Sequence, residues 1–117
     1  MTTLYGIPNC TTVKKARSWL DGHQQPYTFV NFKTDPPAAA LLEQWLAQVG
    51  ADVLINRKGT TWRQLSDAEK AAADTAAGAV ALMQAHPSVI KRPVLRHENR
   101  ISVGFQPEQY QALFAFR

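Results

Sequence analysis

The residue of this chain with the most distinctive chemistry is its single cysteine, Cys10. It lies after an apolar run and a Gly-Ile-Pro-Asn turn, and before Thr11 and Thr12, which we expect to cap a helix. Free N–H groups and the helix dipole at such a position favour the thiolate, and Lys14 lies one turn further along. Because the thiolate is the nucleophile, we predict that Cys10 attacks an oxyanion or the disulfide of an anionic thiol. The alternative is a buried, unreactive cysteine.

Two arginines beside predicted turns are the next candidates for chemistry. Arg57 follows Leu-Ile-Asn, and Arg92 directly precedes Pro93. Arginine binds carboxylates and other oxyanions through paired hydrogen bonds and keeps its charge. Taken alone, each of these arginines is better explained as an ordinary solvated surface residue than as a binding residue.

The elements that must position these residues follow from apolar spacing and turn residues. The predicted order is strand, helix, strand, helix, helical insert, hairpin and helix. A strand–helix–strand start implies a parallel pair with a right-handed crossover, and the hairpin adds antiparallel strands. We therefore predict an α/β fold of thioredoxin-like type, a four-stranded mixed sheet flanked by helices. The predicted segments are strands at 3–5, 27–32, 94–96 and 101–103, and helices at 11–22, 35–49 and 106 onward.

Residues 51–90 are predicted to form an all-helical insert within a single domain of residues 1–117. Ser66 and Glu69 have the spacing of a capping box ahead of an alanine-rich helix. Asp74 is predicted to open the next helix, which ends before His86 and Pro87.

Composition limits the class of protein. The chain has 117 residues, 45% of them apolar, which is enough for one domain with a hydrophobic core. One cysteine allows no internal disulfide and suits a reducing compartment, and we see neither a signal peptide nor a membrane span. We expect a soluble, cytoplasmic protein, with nothing that demands more than a monomer. The net charge of +4 comes from scattered basic pairs, which favours a small anionic ligand over nucleic acid.

Three segments resemble the arsenate reductase and Spx-like family, most closely its YffB-type branch. They are residues 6–16 (GIPNCTTVKKA), 55–63 (INRKGTTWR) and 91–94 (KRPV). The resemblance implies a thioredoxin fold with a helical insert, a catalytic Cys10, oxyanion-binding Arg57 and Arg92, and a cis bond before Pro93. It also implies a glutathione-dependent thiol reductase, with glutathione as co-substrate, no bound cofactor or metal, and glutathione or glutaredoxin as partner. With the residues at the helix start, the predicted anion-binding set is Thr11, Thr12, Lys14, Arg57, Arg92 and Pro93.

Two departures from the family pattern keep alternatives open. Val13 stands where Spx regulators and thioredoxins have a second cysteine, so a disulfide formed at Cys10 needs an external thiol to resolve it. Gln106 stands before Pro107, where arsenate reductases of this family carry a third arginine. The alternatives are an arsenate reductase using the same cysteine, and a non-enzymatic regulator that binds RNA polymerase.

Overall fold

The computed structural model describes residues 1–114. The described elements alternate at first between strand and helix, continue as a run of helices, and end with a hairpin and a helix. In chain order they are β1 (Thr2–Gly6), α1 (Thr11–Gly22), β2 (Thr28–Asn31), α2 (Ala39–Val49), α3 (Ala51–Leu54), α4 (Thr60–Arg63), α5 (Asp67–Ala72), α6 (Ala76–Ala85), a 3-10 turn (Pro87–Val89), β3 (Val94–His97), β4 (Arg100–Val103) and α7 (Pro107–Phe114).

The four strands form one mixed sheet in the order β2-β1-β3-β4. β1 pairs in parallel with β2, with Leu4 opposite Phe29. It pairs in antiparallel fashion with β3, with Leu4 opposite Leu95, and β3 continues to β4 as a hairpin. The predicted thioredoxin-like sheet is therefore confirmed, with the parallel pair and the hairpin in their expected places.

The first of two compact units comprises Met1–Asn31 and the described residues from Arg92 onward. It contains the whole sheet together with α1 and α7. Side chains three or four residues apart on each helix are buried against one face of the sheet, as the helical repeat requires. The core cluster is Leu4, Val13, Ala16, Leu20, Leu95, Tyr110, Leu113 and Phe114.

The second compact unit, Phe32–Lys91, contains helices α2 to α6 and the 3-10 turn. Within it α2 packs against α6, and the ring centroids of Phe32 and Trp45 are 6.3 Å apart. Segments 54–56 and 89–91 are joined by an antiparallel bridge between Ile55 and Ile90, which the sequence did not predict. The predicted helices of residues 51–90 lie in this unit. The assignment of the chain to a single domain stays a prediction.

Two predicted helix starts in the second unit are wrong. α2 begins at Ala39 and not at Asp35, because Pro36 precedes another proline and is thereby pushed to extended conformations. α6 is capped by Thr75, whose hydroxyl accepts a hydrogen bond from the Gly78 N–H at 3.0 Å, and not by Asp74. The capping box predicted at Ser66 is present, with both reciprocal hydrogen bonds formed.

Within residues 1–114, no helix combines the length and the apolar character that crossing a membrane requires.

Candidate functional site

Cys10 is the N-cap residue of α1. Its backbone is extended, with φ −88° and ψ 128°, and its carbonyl accepts the first helical hydrogen bond from the Lys14 N–H at 2.9 Å. The prediction that Thr11 and Thr12 cap this helix is therefore wrong, because both lie inside its first turn. The cap position puts the cysteine itself among the N–H groups that have no partner within the helix.

The surroundings of the sulfur favour the thiolate. Partial burial on its own raises the pKa of Cys10, but hydrogen bonding from the Val13 N–H, the Arg92 side chain and the Thr12 N–H outweighs it. The positive charge of Arg92 acts in the same direction, and the net result is a pKa below the ordinary thiol value. Stabilisation of this kind makes a cysteine more reactive near neutral pH.

Arg92 reaches Cys10 from the opposite end of the sequence. It lies two residues before β3, and the Arg92–Pro93 peptide bond is cis, as the family resemblance implied. Pro93 is buried, and its carbonyl accepts a hydrogen bond from the Gly104 N–H at 2.8 Å. These contacts fix the backbone that carries the Arg92 side chain.

The base of α1 also packs closely against the end of β1. A Cβ built at Gly6 would lie 2.8 Å from the Cγ2 atom of Val13, so only glycine fits there without a shift. Cys10 is half-buried and packs against the core cluster of the first unit. The cysteine is therefore held by a tightly packed turn and remains partly accessible.

The groups that act on the Cys10 thiol differ in two ways from those that the sequence predicted. Lys14 and Thr11 are exposed, and the charge that lowers the Cys10 pKa is that of Arg92. The Val13 N–H is the largest of the groups that lower this pKa, although the sequence analysis did not single it out. Its signal is positional, because the third amide of a helix is the usual donor to an N-cap side chain.

Arg57 lies in the second unit, between α3 and α4. Its Nη1 atom donates to Asp52 Oδ1 at 2.6 Å, and its guanidinium carbon lies 5.4 Å from the centroid of the Trp62 ring. The Arg57 side chain is 40% exposed, so its guanidinium is oriented by neighbours and still open to solvent. Asp52 and Trp62 are contacts that the sequence analysis did not predict.

Among the described residues 1–114, no three histidine, cysteine or acidic side chains are grouped so that they could hold a metal ion.

Comparisons with known proteins place this arrangement in a family. The ArsC family profile matches residues 5–113. The chain belongs to the ArsC family. A solved structure named YFFB protein superposes with a TM-score of 0.92 at 46% identity, covering 98% of this chain and all of that one. A structure described as an arsenate reductase (ArsC) related protein from Brucella melitensis is 43% identical, with a TM-score of 0.73, covering 98% of this chain and 95% of that one.

Other relatives of this chain carry different names. An uncharacterized protein of Haemophilus influenzae is 38% identical over 115 residues, which is 98% of this chain and all of that protein. The Listeria innocua protein named global transcriptional regulator Spx is 30% identical over 112 residues, which is 93% of this chain and 83% of that protein. Family membership therefore leaves the choice between an enzyme and a regulator open.

Proposed function

We propose that this ArsC-family protein is a thiol oxidoreductase that depends on glutathione and uses Cys10 as its nucleophile. The observation that carries the proposal is the lowered pKa of Cys10 under the influence of Val13, Arg92 and Thr12. An unreactive structural cysteine needs no such stabilisation of its thiolate, whereas an exchange reaction does.

In the first step the Cys10 thiolate attacks one sulfur of a substrate disulfide. A bond forms between Cys10 and that sulfur, the substrate disulfide breaks, and the other sulfur leaves as a thiolate that takes a proton from water. Glutathione thiolate then attacks the mixed disulfide, which releases the second substrate thiol and leaves glutathione on Cys10. A second glutathione, or a glutaredoxin, removes it, so that two thiols are oxidised for each disulfide reduced.

The residues around Cys10 have distinct proposed roles. Arg92 and the Val13 and Thr12 N–H groups stabilise the thiolate before attack and after its release. Thr11 and Lys14 on the exposed start of α1 contribute to binding the anionic substrate, and Pro93 holds the backbone next to Arg92. Arg57 is proposed as an anion-binding residue of the second unit.

Val13 explains why the external thiol is required. In the position where a Cys-x-x-Cys protein has its second sulfur, this chain has a valine, and its two methionines are thioethers that do not exchange. The chain can therefore form a mixed disulfide but cannot resolve it alone.

Intact-mass analysis tests the proposal. Reduced protein given oxidised glutathione should gain one glutathionyl group and then stop, and added glutathione or a glutaredoxin system should restore the original mass. Cys10→Ser should show neither change, because serine does not ionise near neutral pH. If the wild-type protein takes up no adduct while Cys10 is reduced and accessible to alkylation, the proposed function is wrong.

Arsenate reduction is the second candidate, supported by the 43% identical relative described as arsenate reductase related. The same Cys10 thiolate would attack arsenate and expel hydroxide. Two glutathione thiols would then supply the two electrons that reduce As(V) to As(III), forming glutathione disulfide, breaking the bond between sulfur and arsenic, and releasing arsenite and the Cys10 thiolate. Gln106 in place of an arginine is the feature against it. Release of arsenite, in step with oxidation of glutathione, would favour this candidate over general disulfide reduction.

Regulation of transcription is the third candidate, supported by the relatives named as Spx regulators. Recovery of RNA polymerase with the tagged protein, equally from wild type and from Cys10→Ser, would favour it over either reaction.

A further inference from the structure

A surface cavity of about 330 Å³ lies in the second unit, and of its lining residues only Arg57 has a role in the function proposed for Cys10. Its volume is within the range of small-molecule sites. Three basic side chains and one carboxylate are the charged groups in its lining. The lining residues are Asp52, Val53, Ile55, Asn56, Arg57, Lys58 and Lys91.

The charges of the lining do not balance. Asp52 is paired with Arg57, and within residues 1–114 neither Lys58 nor Lys91 has a carboxylate at ion-pair distance. Three cations against one anion leave an excess of two positive charges around one cavity. Lysines spread over a protein surface repel each other little, but two beside one concave site raise the local concentration of anions.

The backbone on either side of the cavity is fixed. The Asn56 N–H donates to the Val89 carbonyl at 2.8 Å, and the Lys91 N–H donates to the Leu54 carbonyl at 2.8 Å. These bonds flank the bridge between Ile55 and Ile90, which are 2% and 0% exposed. The two chain segments that carry the basic residues are therefore held together before any ligand arrives.

The basic side chains themselves are not equivalent. Arg57 is oriented by Asp52 and by the Trp62 ring, so it presents a guanidinium in one direction. The Lys58 N–H donates to the Asn56 side-chain oxygen at 3.2 Å, which stabilises the turn at residues 56–58. The side chains of Lys58 and Lys91 remain exposed. An oriented guanidinium with two exposed ammonium groups suits an oxyanion that carries more than one charge.

We propose that this cavity binds a small organic dianion through a carboxylate or phosphate group, with Lys58 and Lys91 as ligand-binding residues. The proposal goes beyond the function proposed for Cys10, and it depends on that function only for the anion-binding role of Arg57. Asp52 acts as a positioning residue that orients Arg57.

The experiment uses Cys10→Ser protein, so that no thiol chemistry interferes. Inorganic phosphate, succinate and S-methylglutathione are titrated separately, with acetate at matched ionic strength as the monoanion control, and backbone amide NMR shifts are followed. The amides of Arg57, Lys58 and Lys91 should shift in a saturable way with at least one dianionic probe and less with acetate. The probe that binds best distinguishes a phosphate ligand from a dicarboxylate. S-methylglutathione has two carboxylates and one ammonium group, so its net charge is −1, and saturable binding of this probe alone would overturn the assignment of a dianion site.

Matched variants distinguish specific binding in the cavity from a general attraction of anions to a basic protein. Lys58→Gln/Lys91→Gln removes two charges from the cavity, and Lys15→Gln/Lys70→Gln removes two charges elsewhere. Affinity should fall about fivefold for each cavity lysine and change little in the control pair. Since these substitutions leave the backbone hydrogen bonds of all four residues in place, the thermal unfolding of both variants should match that of the parent protein.

Equal losses of affinity in the two double variants would overturn the proposal. So would the absence of a saturable change in amide NMR shifts with any of the three probes. The adduct measured by mass at Cys10 requires none of the cavity residues to bind these probes. Failure of the cavity proposal is therefore distinguishable from failure of the proposed function.

Discussion

The two compact units use an arginine in contrasting ways. In the first, Arg92 is half-buried and acts on a thiol, where its charge and hydrogen bond lower the pKa of Cys10. In the second, Arg57 is exposed, pairs with Asp52 and lies over Trp62. A positive charge next to a weak acid changes how much of that acid is ionised, whereas one paired with a carboxylate mainly becomes oriented. The same residue type therefore lowers the pKa of a thiol in one unit and forms an exposed, oriented ion pair in the other.

If the second unit is held together by helix packing and not by its ion pair, Gly78→Ala should have the largest effect on stability. A Cβ at Gly78 would overlap the Ala72 carbonyl oxygen and lie 2.8 Å from Thr75 Oγ1. We expect a loss of about 1–3 kcal/mol in the free energy of unfolding, which exceeds the gain in helix propensity. Chemical denaturation measures it.

Gly22→Ala is the matched control, because a Cβ there meets nothing within 4 Å. It should leave stability unchanged or slightly raise it. Equal stability of the Gly78→Ala and wild-type proteins would show that the α5–α6 connection adapts easily.

The proposed action of Arg92 on the thiol predicts a kinetic effect in the first unit. Arg92→Met should raise the pKa of Cys10 by removing both the hydrogen bond and the charge. Alkylation near pH 7 should then slow severalfold, while the rates of variant and wild type converge once both thiols are fully ionised. Arg92→Lys should restore part of the rate, since it keeps the charge.

Arg17→Met serves as the control for Arg92→Met. Arg17 is in the same unit, where it donates to the Tyr27 hydroxyl at 3.0 Å and lies over the Phe29 ring. The Arg17→Met substitution removes one positive charge without changing the groups that shift the Cys10 pKa. A similar slowing in both variants would mean that overall charge, and not the position of Arg92, determines reactivity.

The lowered pKa of Cys10 also predicts a dependence of stability on pH. Between the folded and unfolded pKa values the unfolded state binds more protons, so stability rises with pH in that window. The contribution should be complete above the unfolded value of about 8.5 and lost as the pH falls through the folded value. Wild type should therefore gain stability relative to Cys10→Ser as the pH rises from the lowered folded pKa of Cys10 to the unfolded value of about 8.5. A constant difference over that range would contradict the lowered pKa.

The smallest effect is expected at the ion pair of the second unit. Asp52 is 89% exposed, and exposed ion pairs typically contribute about 0.2–1 kcal/mol. Asp52→Asn should therefore change the unfolding free energy by less than Gly78→Ala does, and 1 M salt should abolish most of the difference from wild type. A loss larger than that of Gly78→Ala would reverse the proposed ranking of packing over ion pairing.

Much of the architecture could be predicted because it depends on local patterns. The spacing of Val13, Ala16 and Leu20 predicts the buried face of α1, and Ser66 with Glu69 predicts a capping box that is present. Failures occurred where two local signals competed. Asp35 is a good cap, but consecutive prolines delayed α2 to Ala39.

The sequence by itself determined that one cysteine lies at the start of a helix, with no second sulfur in the chain to resolve its disulfide. Only the tertiary structure decided what acts on that cysteine. Arg92 is 82 positions away in the sequence and reaches Cys10 because β3 pairs with β1 beside the turn. The bridge that gathers Arg57, Lys58 and Lys91 around one cavity is likewise long-range. Periodicity and capping depend on neighbours within about a turn, whereas these contacts depend on which strands and segments pair when the chain packs.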